Sequence, residues 1–103
     1  GNNSPIEYMH KHPIVVHHDA AASRFEARVD GGLAECAYRL GGGVMNIVHT
    51  EVPPRAEGRG IAAALVHAAL AHARAQGYRV RPSCSYVRSY MRRHPDTLDL
   101  LET

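Results

Sequence analysis

The chain has little of what would commit it to a special environment. Among 103 residues there is no tryptophan, one phenylalanine, one lysine and two cysteines. Two cysteines, Cys36 and Cys84, are too few for the disulfide framework that staples small secreted domains. No apolar run approaches the roughly 18 residues of a membrane-spanning helix. The opening GNNSPIEYMHKH also lacks the apolar stretch of a signal peptide. With 45% hydrophobic and 21% charged residues, the composition is globular rather than disordered. The expectation is a soluble, cytoplasmic chain with free thiols, a loose arm over residues 1–13 and one domain over 14–103. A domain of that size can form one core without staples.

A second shortage is local. Residues 58–95 contain no aspartate or glutamate but seven arginines, a sum of +7, whereas residues 1–57 hold five basic and seven acidic groups and the tail 96–103 holds three acids. Such a stretch reads either as a solvated basic face or as the footprint of an anionic partner. Arginine suits bidentate contact with phosphate or carboxylate. Nucleic acid is disfavoured as that partner, because one Phe and five Tyr do not make an interleaved base-stacking surface. The histidines are poorly spaced for metal. His10, His12, His17 and His18 crowd the N-terminal region, and His67 and His72 are five apart. A helical zinc site favours an i,i+4 pair with a third ligand, so no metal site is expected.

Ile14–Val16 opens an apolar run that ends at His17-His18-Asp19. After Ala20–Ala22, residues Ser23–Asp30 alternate, with Phe25, Ala27 and Val29 against Arg24, Glu26, Arg28 and Asp30. That is a half-buried strand. Asp30-Gly31-Gly32 supplies a hairpin turn. Leu33–Leu40 alternates again with Ala34, Cys36, Tyr38 and Leu40 on one side, Gly41-Gly42-Gly43 turns, and Val44–Val52 is a third long strand. On a period of two, His49 shares a face with Met45, Ile47 and Glu51. Pro53-Pro54 stops the strand, since proline cannot donate to a ladder. The segment IAAALVHAALAHARAQ that follows Gly60 holds eight alanines, the best helix former. Ile61, Leu65, Ala69 and His72 fall at helical spacing, Gly77 suits the C-terminal cap and Arg74 the last turn. Tyr78–Cys84 reads as a further strand and Tyr86–His94 as a second helix closed by Pro95. The predicted order is β-β-β-β-α-β-α.

Strand and helix are joined through Arg55-Ala56-Glu57-Gly58-Arg59-Gly60, an R-x-x-G-x-G turn. Glycines let backbone approach a ligand closely. The free N–H groups of a helix start point outward, and the helix dipole adds roughly half a positive charge there. Pyrophosphate is the natural guest. The turn lacks the Gly-Lys-Ser/Thr of a P-loop and is not the G-x-G-x-x-G dinucleotide fingerprint.

In this setting the turn resembles the acetyl-coenzyme A signature of the GNAT N-acetyltransferase superfamily. More narrowly, IVHTEVPPRAEGRGIAAALV together with RPSCSYVRSYMRRHP resembles its minimal, single-domain YjdJ-type branch, a likeness covering residues 14–100. The resemblance implies an α/β (α+β) acyl-CoA N-acyltransferase fold: a mostly antiparallel sheet, a central Ala-rich helix, a C-terminal helix, and fourth and fifth strands that splay apart. It implies acetyl transfer from acetyl-CoA to an amine, either a small amine or a protein lysine or N-terminus. The amides of Glu57, Gly58, Arg59, Gly60, Ile61 and Ala62, with Arg55 nearby, would hold the coenzyme A pyrophosphate. Val52 and Pro53 would pair with the pantetheine arm like an extra strand.

For the chemistry, the resemblance implies His49 as base or water-orienting group, with Glu51 as an alternative, and Tyr86 as general acid toward the leaving thiolate. Cys84 would either take the acetyl group covalently or pack as a small hydrophobe while the amine attacks directly. One feature departs from full-size members. Only Asp19–Ala22 separates the first two strands, where those members carry helices that build the acceptor site. An open acceptor groove and a monomer or weak homodimer are therefore expected. The same motif also allows a coenzyme A-binding regulatory or interaction module without catalysis.

Overall fold

A computed structural model describes residues 14–30 and 32–103. The expected arm over 1–13 and Gly31 of the expected turn lie outside the described residues. Strands β1 (His17–Asp19), β2 (Arg24–Val29), β3 (Gly32–Gly41), β4 (Val44–Glu51) and β5 (Arg79–Pro82) form one sheet in chain order. The ladders are antiparallel as far as β4. Helix α1 (Ile61–Gln76) crosses over to make β5 parallel to β4, as parallel neighbours require a long connection. Helix α2 (Ser85–Arg93) follows, and 3-10 turns occupy Pro54–Ala56 and Pro95–Leu100. The α+β architecture and element order are those predicted.

Four residues connect β1 to β2. The Ala22 N–H donates to Asp19 Oδ1 at 3.1 Å, the Ser23 N–H donates to the Ala20 carbonyl at 3.1 Å, and no helix intervenes. The core lies on one face of the sheet. Phe25, Ala27, Ala34, Cys36, Tyr38, Met45, Ile47 and Val80 meet the stripe Ile61, Leu65, Val66, Ala69, Leu70 and Ala73 of α1, and Val87, Tyr90 and Met91 of α2. Leu40, read with Ala34, Cys36 and Tyr38, is 48% exposed at the far end of β3. Residues of opposite parity, among them Glu35, Arg39 and Asn46, face outward from the core.

The register of β4 breaks once. Ala37 pairs with His49 but Tyr38 pairs with Ile47, which leaves Val48 as an extra residue. Such a β-bulge resets the alternation of side chains. Beyond it Thr50, opposite the buried Cys36, points inward, while His49 and Glu51, opposite Ala37 and Glu35, point outward. The expectation that His49 shares a face with Met45 and Ile47 is thereby corrected. A second correction concerns Cys84, which does not close a strand. Proline cannot continue the ladder, so β5 ends at Pro82, and Cys84 (φ −78°, ψ 129°) is the N-cap of α2.

The C-terminal segment covers the outer edge of β5. Leu101 bridges Val80 in parallel, and the Glu102 N–H donates to the Val80 carbonyl at 2.9 Å. Arg81 grips the Glu102 carboxylate through two bonds of 2.7 Å, and Arg74 grips Asp99 through two of 2.9 Å. Among the described residues no helix is long and apolar enough to cross a membrane.

Candidate functional site

β4 and β5 pair only where Val44–Ile47 face Arg79–Pro82. The last link is the Cys84 N–H, which donates to the Ile47 carbonyl at 3.0 Å. Past that point β4 continues to Glu51 without β5 beside it, and the two strands part. A cavity of about 390 Å³ opens next to the divergence. It is lined by Thr50 and Val52 from the end of β4, by Ala56, Glu57, Gly58 and Gly60 of the turn, by Ile61, Ala62 and Ala63 of α1, and by Tyr86 of α2.

The turn makes an open concavity at the start of a helix. Gly58 (φ +83°) and Gly60 (φ +79°) are left-handed, a conformation that strains any residue with a Cβ. A Cβ built at either position would meet no atom within 4 Å, so the concavity is open. Gly60 caps α1 without a side-chain hydrogen bond, and the helical ladder begins with the Ala64 N–H donating to the Gly60 carbonyl at 3.0 Å. The donors of the first turn therefore have no intrahelical partner, and the helix dipole adds positive charge beside them. This set fits a pyrophosphate. Glu57 differs from its neighbours, because its N–H donates at 3.3 Å to the Pro54 carbonyl. Arg59 leans 3.4 Å from Asp30 across the surface. Arg55 is exposed, and Pro53 is the N-cap of the 3-10 turn.

At the other end of the cavity wall, Cys84 Sγ lies 3.5 Å from Thr50 Oγ1. Burial pushes the Cys84 thiol up, but hydrogen bonds from the Thr50 hydroxyl and from the backbone at Val87, Tyr86 and Thr50 outweigh it. The net effect is a thiol below its ordinary value. Helix N-terminal N–H groups favour a thiolate in this way. Cys36, opposite Thr50 on β3, has the reverse fate: burial drives its thiol up to about 11.

His49 stands on the outer face. Its Nε2 is 3.1 Å from Glu51 Oε1 and 3.8 Å from Glu35 Oε2, and one ligand atom from each of the three residues falls within a 4.8 Å cluster. Arg24 balances the charge through Glu26 at 2.8 Å and Glu35 at 3.5 Å. The fold thus gathers Val52, Glu57, Gly58, Gly60, Ile61, Ala62 and Tyr86 around the cavity and sets Cys84 against Thr50, while His49 lies across the strand. Two residues escaped sequence reasoning. Thr50 was hidden because a bulge leaves no mark in Val-His-Thr, where neither glycine nor proline interrupts the alternation. Glu35 was hidden because only the β3–β4 register brings it opposite Glu51.

A sheet whose fourth and fifth strands part beside a glycine turn at a helix start defines an acyl-coenzyme A N-acyltransferase fold. The chain matches the GCN5-related N-acetyl-transferase family over residues 24–100 and belongs to that family. Among its relatives, Protein NATD1 of Gallus gallus is 34% identical over 86 residues, covering 81% of this chain and 78% of that protein. Protein NATD1 of Homo sapiens has the same identity, with 81% and 76% covered. The solution NMR structure of a GCN5-like protein from Staphylococcus aureus has a TM-score of 0.69 at 25% identity, covering 86% of this chain and 88% of that one. The family match takes in all of β4, the turn, α1, Cys84 and Tyr86. An acetyltransferase-type domain is the class these findings support.

Proposed function

We propose that the chain is an acetyl-CoA-dependent N-acetyltransferase in which Cys84 carries the acetyl group to an amine. The observation that carries this reading is one continuous wall running from the glycine cradle to Tyr86 and to Thr50, the partner of the Cys84 thiol. The amides from Gly58 to Ala62 hold the pyrophosphate, with Arg55 and Arg59 flanking it and Glu57 at the rim. Val52, followed by Pro53, offers backbone to the pantetheine arm where β4 has lost β5 as a neighbour. Cys84 then attacks the thioester carbonyl carbon. A bond from that carbon to the Cys84 sulfur forms as the bond to the coenzyme sulfur breaks, and Tyr86 donates its proton to the leaving thiolate. An uncharged amine next attacks the acetyl carbon, the amide bond forms, and Cys84 leaves as thiolate. Water in the open gap between β4 and β5 carries the proton lost by the amine to His49, on the outer face with Glu35 and Glu51, and solvent reprotonates Tyr86. Without helices between β1 and β2, that face admits either a small amine or a protein lysine or N-terminus.

The test is intact-protein mass spectrometry after mixing with acetyl-CoA. One acetyl adduct is expected, absent from Cys84→Ala, and an amine panel should discharge it with release of coenzyme A thiol. His49→Gln should still form the adduct but pass it to amines more slowly. Turnover by Cys84→Ala at the normal rate would replace the covalent route with direct attack. Binding of coenzyme A with neither adduct nor turnover would leave a regulatory or interaction module.

A further inference from the structure

The sequence assigns Thr50 no role, yet the fold sets it between the two thiols of the chain. Cys36 lies directly opposite it on β3. Cys84 approaches from the other side of β4, anchored by its N–H on the Ile47 carbonyl at 3.0 Å, with Sγ 3.5 Å from Thr50 Oγ1. The bulge at Val48 is what turns Thr50 to this face. A threonine hydroxyl has one proton and two lone pairs, so it cannot donate to both sulfurs at once. Cys36, wholly buried and pushed up to about 11, keeps its proton near neutral pH. In the thiol form the Cys84 S–H donates to Thr50 Oγ1; once Cys84 ionises, the hydroxyl can turn its own proton to the sulfur.

We propose that Thr50 is a positioning residue for Cys84: its hydroxyl holds and orients the Cys84 sulfur at the mouth of the splay. The inference rests on the acyl-transfer reading for its purpose, but not for its test. The Cys36 thiol of β3 lies within electrostatic reach of Cys84, and Tyr86 of α2, two residues on, lines the cavity. Arg88 is turned away onto the Pro82 and Ser83 carbonyls at 3.0 and 2.9 Å, and His49 occupies the opposite face of β4. Hydrogen bonds to an ionised acceptor are about twice as strong as neutral ones, so loss of the hydroxyl acts on the thiolate more than on the thiol.

The experiment is the rate of Cys84 alkylation by iodoacetamide as a function of pH, with no acetyl-CoA present and Cys84→Ala as the blank. Thr50→Val should slow alkylation at pH 7 on the order of tenfold and move the profile to higher pH. Thr50→Ser should restore the parent profile, and Cys36→Ala, which leaves the hydroxyl in place, should keep it. Circular dichroism melts establish that each variant is folded. Should Thr50→Val not fold, Thr50→Ala takes its place in the comparison with Thr50→Ser. Equal slowing by valine and serine would overturn the proposal, since packing rather than the hydroxyl would then matter. A parent-like profile in Thr50→Val would overturn it as well. A chain that shows the shift but never accepts an acetyl group would refute the acyl-transfer reading alone.

Discussion

At Gly58 and Gly60 a side chain would have to adopt φ near +80°, as both glycines do at +83° and +79°, at a cost of roughly 1–2 kcal/mol each. The space around both is open, so an aspartate there sets a carboxylate among the amides proposed to hold phosphate. Gly58→Asp or Gly60→Asp should abolish the heat of coenzyme A binding in calorimetry, and parent-like affinity would remove the cradle assignment. These glycines were legible because a helix start that binds an anion has a chemical requirement visible in residue type. His49 and Thr50 were not, since which of two adjacent residues faces the cleft depends on one extra residue in β4. Nothing in the side chain of Val48 announces that it will be the unpaired one.

The elements themselves follow from local rules. Eight alanines make α1 a strong helix, and the apolar positions spread over a face wide enough to bury six of its residues. Leu65 is wholly buried on that face. Leu65→Ala should therefore lower the unfolding free energy by about 2–5 kcal/mol, measured by urea titration with an unchanged slope. A loss under 1 kcal/mol would mean that α1 does not form the core described. The order of strands and helices was legible because alternation, glycine turns and helical spacing are all short-range. The end of β5 was less so. Arg79–Pro82 and Ser83-Cys84 read as one extended run, and the N-cap role of Cys84 is set by where α2 meets the sheet.

For the molecule as a whole, the basic stretch largely folds back on itself. Arg74 and Arg81 hold Asp99 and Glu102, Arg79 donates to the Asp99 carbonyl, Arg88 to Pro82 and Ser83, and Arg59 reaches Asp30. Two of the three acids of the tail, Asp99 and Glu102, thus answer part of the excess in residues 58–95. The Arg74 and Arg81 guanidiniums hold the Asp99 and Glu102 carboxyls below their ordinary values of 3.8 and 4.5. A depressed carboxylate contributes stability that is whole above its ordinary value and lost as pH falls through the folded one. Hydrogen-exchange protection of the Glu102 amide should accordingly fall as pH drops below about 4.5, with Glu102→Gln already less protected at neutral pH. Protection that ignores both would show that the ion pairs do not hold the tail.

What the sequence determined alone was the set of elements, the glycine turn at the helix start and the kinship, because periodicity, turn chemistry and helix-start electrostatics act within a few residues of one another. Which side chains share the cleft was decided by tertiary structure alone. The bulge in β4, the parting of β4 from β5 and the pairing of arginines with the tail each join residues distant in the chain, and only packing sets that register.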